Sequence, residues 1–335
     1  NLVTMKWWND LWLNESFANL MEYIAIDALE PGWDIWLDYA TSSVISALRR
    51  DAIDGVQSVQ VDVQHPDEIS TLFDPSIVYA KGSRLLRMLE AHIGEEALRS
   101  GLRTYFEAHA YTNTEAQDLW AALSAASGKD VGALMQAWIT QPGYPLVSVS
   151  KKGSELSLSQ KQFFVGPHAA SSRTWPIPLH STSDQLPALM DQSSLKLGYA
   201  APSAPRLNAE TTAHFIAQYD SAIFEQHIKD FASFSAVDRL TFIQDQILLS
   251  QAGEQSTAQL IPLIKNLNEE PSEAVWTSIS IAINELKRFV DNDEVAEKQL
   301  RSLVRALTQY HYDRLGWDAS TEESENDTKL RSTII

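Results

Sequence analysis

Cysteine is absent from the 335 residues. That single absence removes disulfides, thiolate-bound zinc, iron–sulfur ligation and a cysteine nucleophile. Positive charge is scarce: 26 Lys and Arg stand against 44 Asp and Glu, a net charge of −18. Phosphate-directed binding feeds on basic patches, so no nucleic-acid partner is expected. Adhesion to anionic lipid is disfavoured for the same reason. No apolar run approaches the roughly 20 residues of a membrane helix and no secretory signal opens the chain, so no membrane partner is expected. Ready-made motifs are missing too. There is no Gly-rich phosphate loop after a strand, no G-x-S-x-G elbow and no H-x-x-x-H pair among the eight histidines. His92-Ile-Gly-Glu-Glu96 approaches the inverted motif H-x-x-E-H, but position 96 is Glu, so His92 reads as a helix-end histidine.

What is present is unevenly spread. Residues 1–141 carry 20 acids and 9 bases, residues 142–219 carry 4 and 6, and residues 220–335 carry 20 and 11. Eight of the thirteen prolines lie between Pro142 and Pro205. Proline is expelled from helix interiors and gathers at turns and strand ends. The fold expected is therefore multidomain α+β: a helical segment 1–141, a β segment 142–219, and a helical segment 220–335.

The patterning agrees. Phe17, Leu20, Met21, Ile24 and Ala28 recur at helical spacing between Asn14 and Leu29. Asp74-Pro75 predicts a helix start, and Gly94 its end. Further helices fit 95–109, 115–127 and 131–140, with Thr112 and Glu115 at capping-box spacing. Apolar–polar alternation at Leu156–Gln160, Leu195–Tyr199 and His214–Tyr219 predicts short strands. Trp175-Pro-Ile-Pro-Leu179 predicts an edge strand with its prolines outward. A small antiparallel β-sandwich is expected there. Ser235 with Asp238 begins another helix, and further helices fit 221–232, 256–268, 272–290 and 294–311, a serial array without a fixed-period repeat. The acidic stretch Asp318–Asp327 is expected to be a mobile loop.

Two residues invite chemistry. Glu15 lies on a helix preceded by Trp7, Trp8 and Trp12, so its neighbourhood is expected to be buried. A buried carboxylate needs a partner, and a solvated cap and a metal ligand are both open readings. Tyr79 sits at the start of a helix beside Lys81-Gly82 and reads equally as a packed ring. Gly82 within a helix costs about 1 kcal/mol relative to Ala, which points to a close approach there.

The stretch Asn1-Leu-Val-Thr-Met-Lys-Trp-Trp-Asn-Asp-Leu-Trp-Leu-Asn-Glu15-Ser-Phe-Ala18 resembles the segment after the H-E-x-x-H helix in the aminopeptidase N family of zinc metallopeptidases, the gluzincins. Phe73-Asp-Pro-Ser-Ile-Val-Tyr79-Ala-Lys-Gly82 and Trp138-Ile-Thr-Gln-Pro-Gly-Tyr-Pro145 resemble two further family segments, and weaker similarity runs on through Trp175-Pro-Ile-Pro and Leu207-Asn-Ala to Asp238-Arg239. The resemblance implies the helical part of a thermolysin-like catalytic domain, then the sandwich, then the start of a superhelical, HEAT-like domain. Glu15 would be the third ligand of one zinc ion, beside two histidines expected ahead of Asn1. Tyr79 would donate to the oxyanion of the tetrahedral intermediate. Asn19 and Glu22 would support the ligand. The family's G-x-M-E-N segment is not in the chain. The chain is expected to be a fragment of an aminopeptidase acting on peptides with a free N-terminus. Alone it would be inactive, its partners being the N-terminal and C-terminal parts of the same polypeptide. A cytoplasmic, bacterial setting is expected from its acidity and lack of cysteine. A catalytically dead relative serving as scaffold or binding module is the alternative. The family's glycine after the zinc Glu is Ser16 here.

Overall fold

The structure is a computed structural model that describes residues 2–201 and 203–335. The first residue of the tryptophan-rich segment and one proline of the middle segment lie outside the described residues. The chain divides into two compact units at Ile223 and Phe224.

In the first unit, helix α1 (Trp12–Leu29) follows a short strand β1 (Thr4–Met5) and a single 3₁₀ turn. Only part of its apolar stripe is covered: Trp12, Ser16 and Leu20 are buried, whereas Met21 and Leu29 are exposed. The neighbourhood expected to be buried is only partly so: of the three tryptophans, Trp12 alone is buried. Trp12 stacks on Trp120 with ring centroids 5.2 Å apart, and its Nε1 donates to Asp10. Trp8 is half-buried and Trp7 exposed, because the latter's ring reaches across the surface to donate to the Val63 carbonyl.

Short helices α2 (Ile35–Tyr39) and α3 (Ile45–Asp51) are joined by a π-helical turn. Next come α4 (Gly82–Ile93), α5 (Glu95–His109), strand β2 (Asn113–Thr114) paired in parallel with β1, α6 (Ala116–Ser127) and α7 (Val131–Thr140). The capping box of α6 is formed by Glu115 and Asp118, not by Thr112 and Glu115. Thr112 donates its hydroxyl to the His109 carbonyl instead.

Residues 145–219 supply the remaining strands. β3 (Pro145–Lys152) and β4 (Glu155–Gln162) form a hairpin, β5 (Ile177–Pro178) pairs with β6 (Leu189–Met190), and β7 (Ser194–Gly198) and β8 (Ile216–Tyr219) flank the hairpin in the order β7-β4-β3-β8. The four-stranded sheet is mixed, which corrects the antiparallel expectation: β8 runs parallel to β3, with Leu146 opposite Ile216. A parallel neighbour requires a long crossover, which the stretch holding β5, β6 and β7 provides. The segment around Trp175 does not point its prolines outward, since Pro178 is buried. Trp175 instead pairs through the side chain of Gln160, which accepts from its N–H at 2.9 Å and donates to its carbonyl at 2.8 Å.

Helix α8 (Ser221–Asp230) crosses into the second unit, which continues with α9 (Ala236–Gln251), α10 (Leu260–Ile264), α11 (Glu273–Val290), α12 (Glu294–Leu315) and α13 (Glu325–Ile334). Ser235 caps α9 as its spacing predicts, accepting from the Asp238 N–H. Buried Glu270 pairs with Arg239 through both carboxylate oxygens, at 2.7 and 2.8 Å. The acidic stretch expected to be a loop is partly helical. Ser324 caps α13, Arg314 pairs with Asp327 at 2.7 Å, and Arg331 pairs with Glu323. Those two arginines supply the countercharge that composition alone does not show. Among the described residues no helix is long and apolar enough to cross a membrane.

Candidate active site

Glu15 stands in the first turn of α1 and is half-buried. The partial positive charge of a helix N-terminus favours a carboxylate there. It lines a groove of about 420 Å³ together with Asn14, Phe17, Tyr105 and Phe106.

Tyr79 comes from a separate segment, ahead of α4. Asp74 caps its segment, accepting from the Ser76 N–H at 3.0 Å, and Pro75 opens it. The first turns are π-helical over Pro75–Lys81, and regular α-helix begins only at Gly82. A π-helical turn is rare and frequently marks a functional site. Burial first, and then the hydrogen bond and charge of Glu15, raise the Tyr79 phenol above its ordinary value. The structure thus brings together the two residues singled out in the sequence. A phenol is already protonated at neutral pH at its ordinary value, so Tyr79 is available there as a hydrogen-bond donor.

The contact that brings α1 to this segment is unusually close. A Cβ on Gly82 would lie 1.9 Å from Ser16 Oγ and 2.6 Å from Ser16 Cβ. This is the close approach that a helical glycine predicts. The Ser16 hydroxyl, fully buried, donates to the Val78 carbonyl at 2.5 Å.

Below Tyr79 lies a buried charged cluster that no sequence signal marks. Lys81 and Asp51 are both fully buried, with Nζ 2.9 Å from Oδ2. Lys81 also donates to the carbonyls of Gly143 and Gln141, at 3.1 and 3.4 Å. Asp51 accepts the Gly143 N–H at 2.8 Å and faces His214 Nε2 at 3.0 Å. Burial pushes the His214 imidazole down to about 4, against the pull of Asp51. Its Nδ1 has no hydrogen-bond partner among the described residues, as suits a neutral ring. Burial opposes the charge on Asp51, but Lys81 and His214 outweigh it and hold that carboxyl below its usual range. Asp51 and His214 are far apart in sequence, so only the fold could reveal them.

The remaining candidates divide. Asn19 presents a shielded Oδ1 with no hydrogen-bond partner among the described residues, while Glu22 is exposed. His92 ends α4 and lines a separate pocket of about 230 Å³ with His180, well apart in chain position from the Glu15 groove. Among the described residues no three His, Cys, Asp or Glu side chains group to hold a metal. Zinc takes at least three protein ligands, so the described residues do not by themselves make a zinc site; Glu15 is one carboxylate.

Comparison with known proteins gives two family matches: the Peptidase family M1 domain over residues 1–138 and the ERAP1-like C-terminal domain over residues 206–335. An aminopeptidase N of Lactococcus lactis subsp. lactis is 46% identical over 343 residues, covering 100% of this chain and 40% of the relative. An aminopeptidase N of Lactobacillus helveticus is 41% identical, covering 99% of this chain and 40% of the relative. A tricorn protease-interacting factor F2 of Thermoplasma acidophilum is 37% identical, covering 100% and 41%. The chain therefore spans about two fifths of the length of the curated relatives it matches.

Proposed function

We propose that this chain, whose residues 1–138 match the Peptidase family M1 domain, is part of a zinc-dependent aminopeptidase removing N-terminal residues from peptides. The observation that carries the reading is the meeting of Glu15 and Tyr79 beside a groove, held by the Ser16–Gly82 contact. Glu15 would contribute one carboxylate to a zinc ion whose two histidine ligands lie elsewhere in the complete polypeptide. Tyr79 would hold its proton and donate to the oxygen of the scissile carbonyl as negative charge develops there. A donor aimed at that charge matters most in the transition state. The domain reading that goes with it is catalytic-domain helices over 1–141, a β-sandwich over 142–219, and the first helices of a C-terminal domain over 220–335. The acidic, cysteine-free composition supports a cytoplasmic site of action. The chain on its own would hold no tight zinc and hydrolyse nothing. Retention of both Glu15 and Tyr79 favours this reading over a catalytically dead relative serving as scaffold or binding module.

The test is hydrolysis of a panel of aminoacyl reporter substrates by the complete protein, with and without a chelator. Tyr79→Phe is expected to lower kcat by about 10²–10³ while sparing KM. An unchanged kcat would reduce Tyr79 to a packed ring. Elemental analysis of the chain alone should find no stoichiometric zinc; zinc that is stoichiometric and disappears in Glu15→Gln would refute that part.

A further inference from the structure

We propose that Ser16 is a positioning residue for Tyr79, its hydroxyl setting through the Val78 carbonyl where the phenol meets Glu15. The inference rests on the reading of Tyr79 as a donor and adds the device that aims it.

The geometry runs through one peptide plane. The Val78 carbonyl and the Tyr79 N–Cα bond share a rigid, planar unit. Whatever fixes that carbonyl fixes the Tyr79 N–Cα bond, the axis from which its side chain departs. The fixing group is Ser16 Oγ, 2.5 Å away and buried, on the residue that follows Glu15 in α1. The same hydrogen bond therefore ties the chain beside the carboxylate to the chain beside the phenol. The other end of the segment is pinned independently: Lys81 is locked by Asp51 and by the Gly143 carbonyl. Lys81 and the Asp74 cap hold the two ends of the π-helical turn, and Ser16 holds the Val78 carbonyl between them.

The hydroxyl has a role that packing does not explain. An Ala at position 16 would fill the same space beside Gly82 with the same Cβ, and Ala is the better helix former. What Ser adds is one donor, directed at one carbonyl, in a place that water does not reach.

The test is a double-mutant cycle in the complete protein, with kcat and KM measured on an aminoacyl p-nitroanilide for the parent, Ser16→Ala, Tyr79→Phe and the pair. Zinc content is checked by elemental analysis, and 3-fluorotyrosine placed at position 79 is followed by ¹⁹F NMR at one fixed pH. Ser16→Ala should lower kcat by about tenfold, with KM and zinc content unchanged, as expected for a misaimed group. In the Tyr79→Phe background the same change should cost less than about twofold, because the group it aims is gone. The ¹⁹F resonance should shift or broaden in Ser16→Ala. Equal losses in both backgrounds would overturn the proposal, as would an unaltered kcat with an unaltered resonance. If Tyr79→Phe alone keeps full kcat, the donor reading fails instead. The ¹⁹F spectrum then decides positioning by itself: a moved resonance supports it and an unmoved one ends it. Should Ser16→Ala disturb folding, as read by far-UV circular dichroism, Ser16→Gly repeats the cycle.

Discussion

Gly82→Ala should destabilise this protein, and Ser16→Gly should reverse the sign of that effect. An added methyl at position 82 falls 1.9 Å from Ser16 Oγ and 2.6 Å from Ser16 Cβ, whereas carbon contacts are comfortable at about 3.5–4.0 Å. Rotating the serine relieves the first clash but not the second, because Cβ is fixed to the backbone. Helices α1 and α4 must then separate by about 1 Å, in a region where both are buried. Overpacking of this kind costs roughly 1–3 kcal/mol, and loss of the Ser16–Val78 hydrogen bond adds about 1 kcal/mol. Against this, replacing a helical Gly by Ala gains about 1 kcal/mol. The net expectation is destabilisation by roughly 1–3 kcal/mol. With Ser16→Gly in place, the nearest atom to the new methyl is the Ile77 carbonyl oxygen at 3.7 Å, an ordinary contact. There the helix-propensity gain stands alone, and Gly82→Ala should stabilise by up to about 1 kcal/mol. Urea unfolding of the four proteins measures the cycle. A Gly82→Ala protein as stable as its parent, or an equal effect in both backgrounds, would refute the reasoning.

The buried cluster makes two further predictions. Lys81→Met leaves Asp51 without its cation and should cost roughly 3–5 kcal/mol of stability, while adding Asp51→Asn, which keeps an acceptor for the Gly143 N–H, should recover part of it; chemical denaturation decides, and a loss under 1 kcal/mol or so would mean the pair is dispensable. For His214, the folded state holds the imidazole at about 4 against an ordinary 6.5, so the unfolded chain binds the extra proton between those values and stability must fall as pH drops from 6.5 toward 4. The fully buried ring should contribute roughly 3 kcal/mol of that loss, and His214→Gln should flatten the slope in that window; an identical pH profile in the variant would show that His214 is not its source. Asp51, held below its usual range, acts in the same direction at lower pH, with stability lost as pH falls below 3.8.

The sequence by itself determined most of the local elements. Pro75 after Asp74, Gly94 after Ile93 and Ser235 before α9 mark helix ends because each supplies a dihedral or a cap that the backbone needs at that point. Glu15 and Tyr79 were singled out by the family resemblance of the segments that hold them, since from the residues alone each read equally as a cap or a packed ring, whereas Gly82 announced a close neighbour through its helix cost. Tertiary structure decided what met what. That Gly82's neighbour is Ser16, that Tyr79 rises from a π-helical turn, and that Lys81 finds Asp51 and His214 are consequences of which helices cross, and helical periodicity carries no record of that. The parallel pairing of β8 was hidden for a similar reason, since alternation marks which face is buried and is silent on strand direction. Burial of the charged cluster was the least visible of all: a lysine, an aspartate and a histidine spread along a chain read as surface residues until the fold removes them from water together, where each then requires the others.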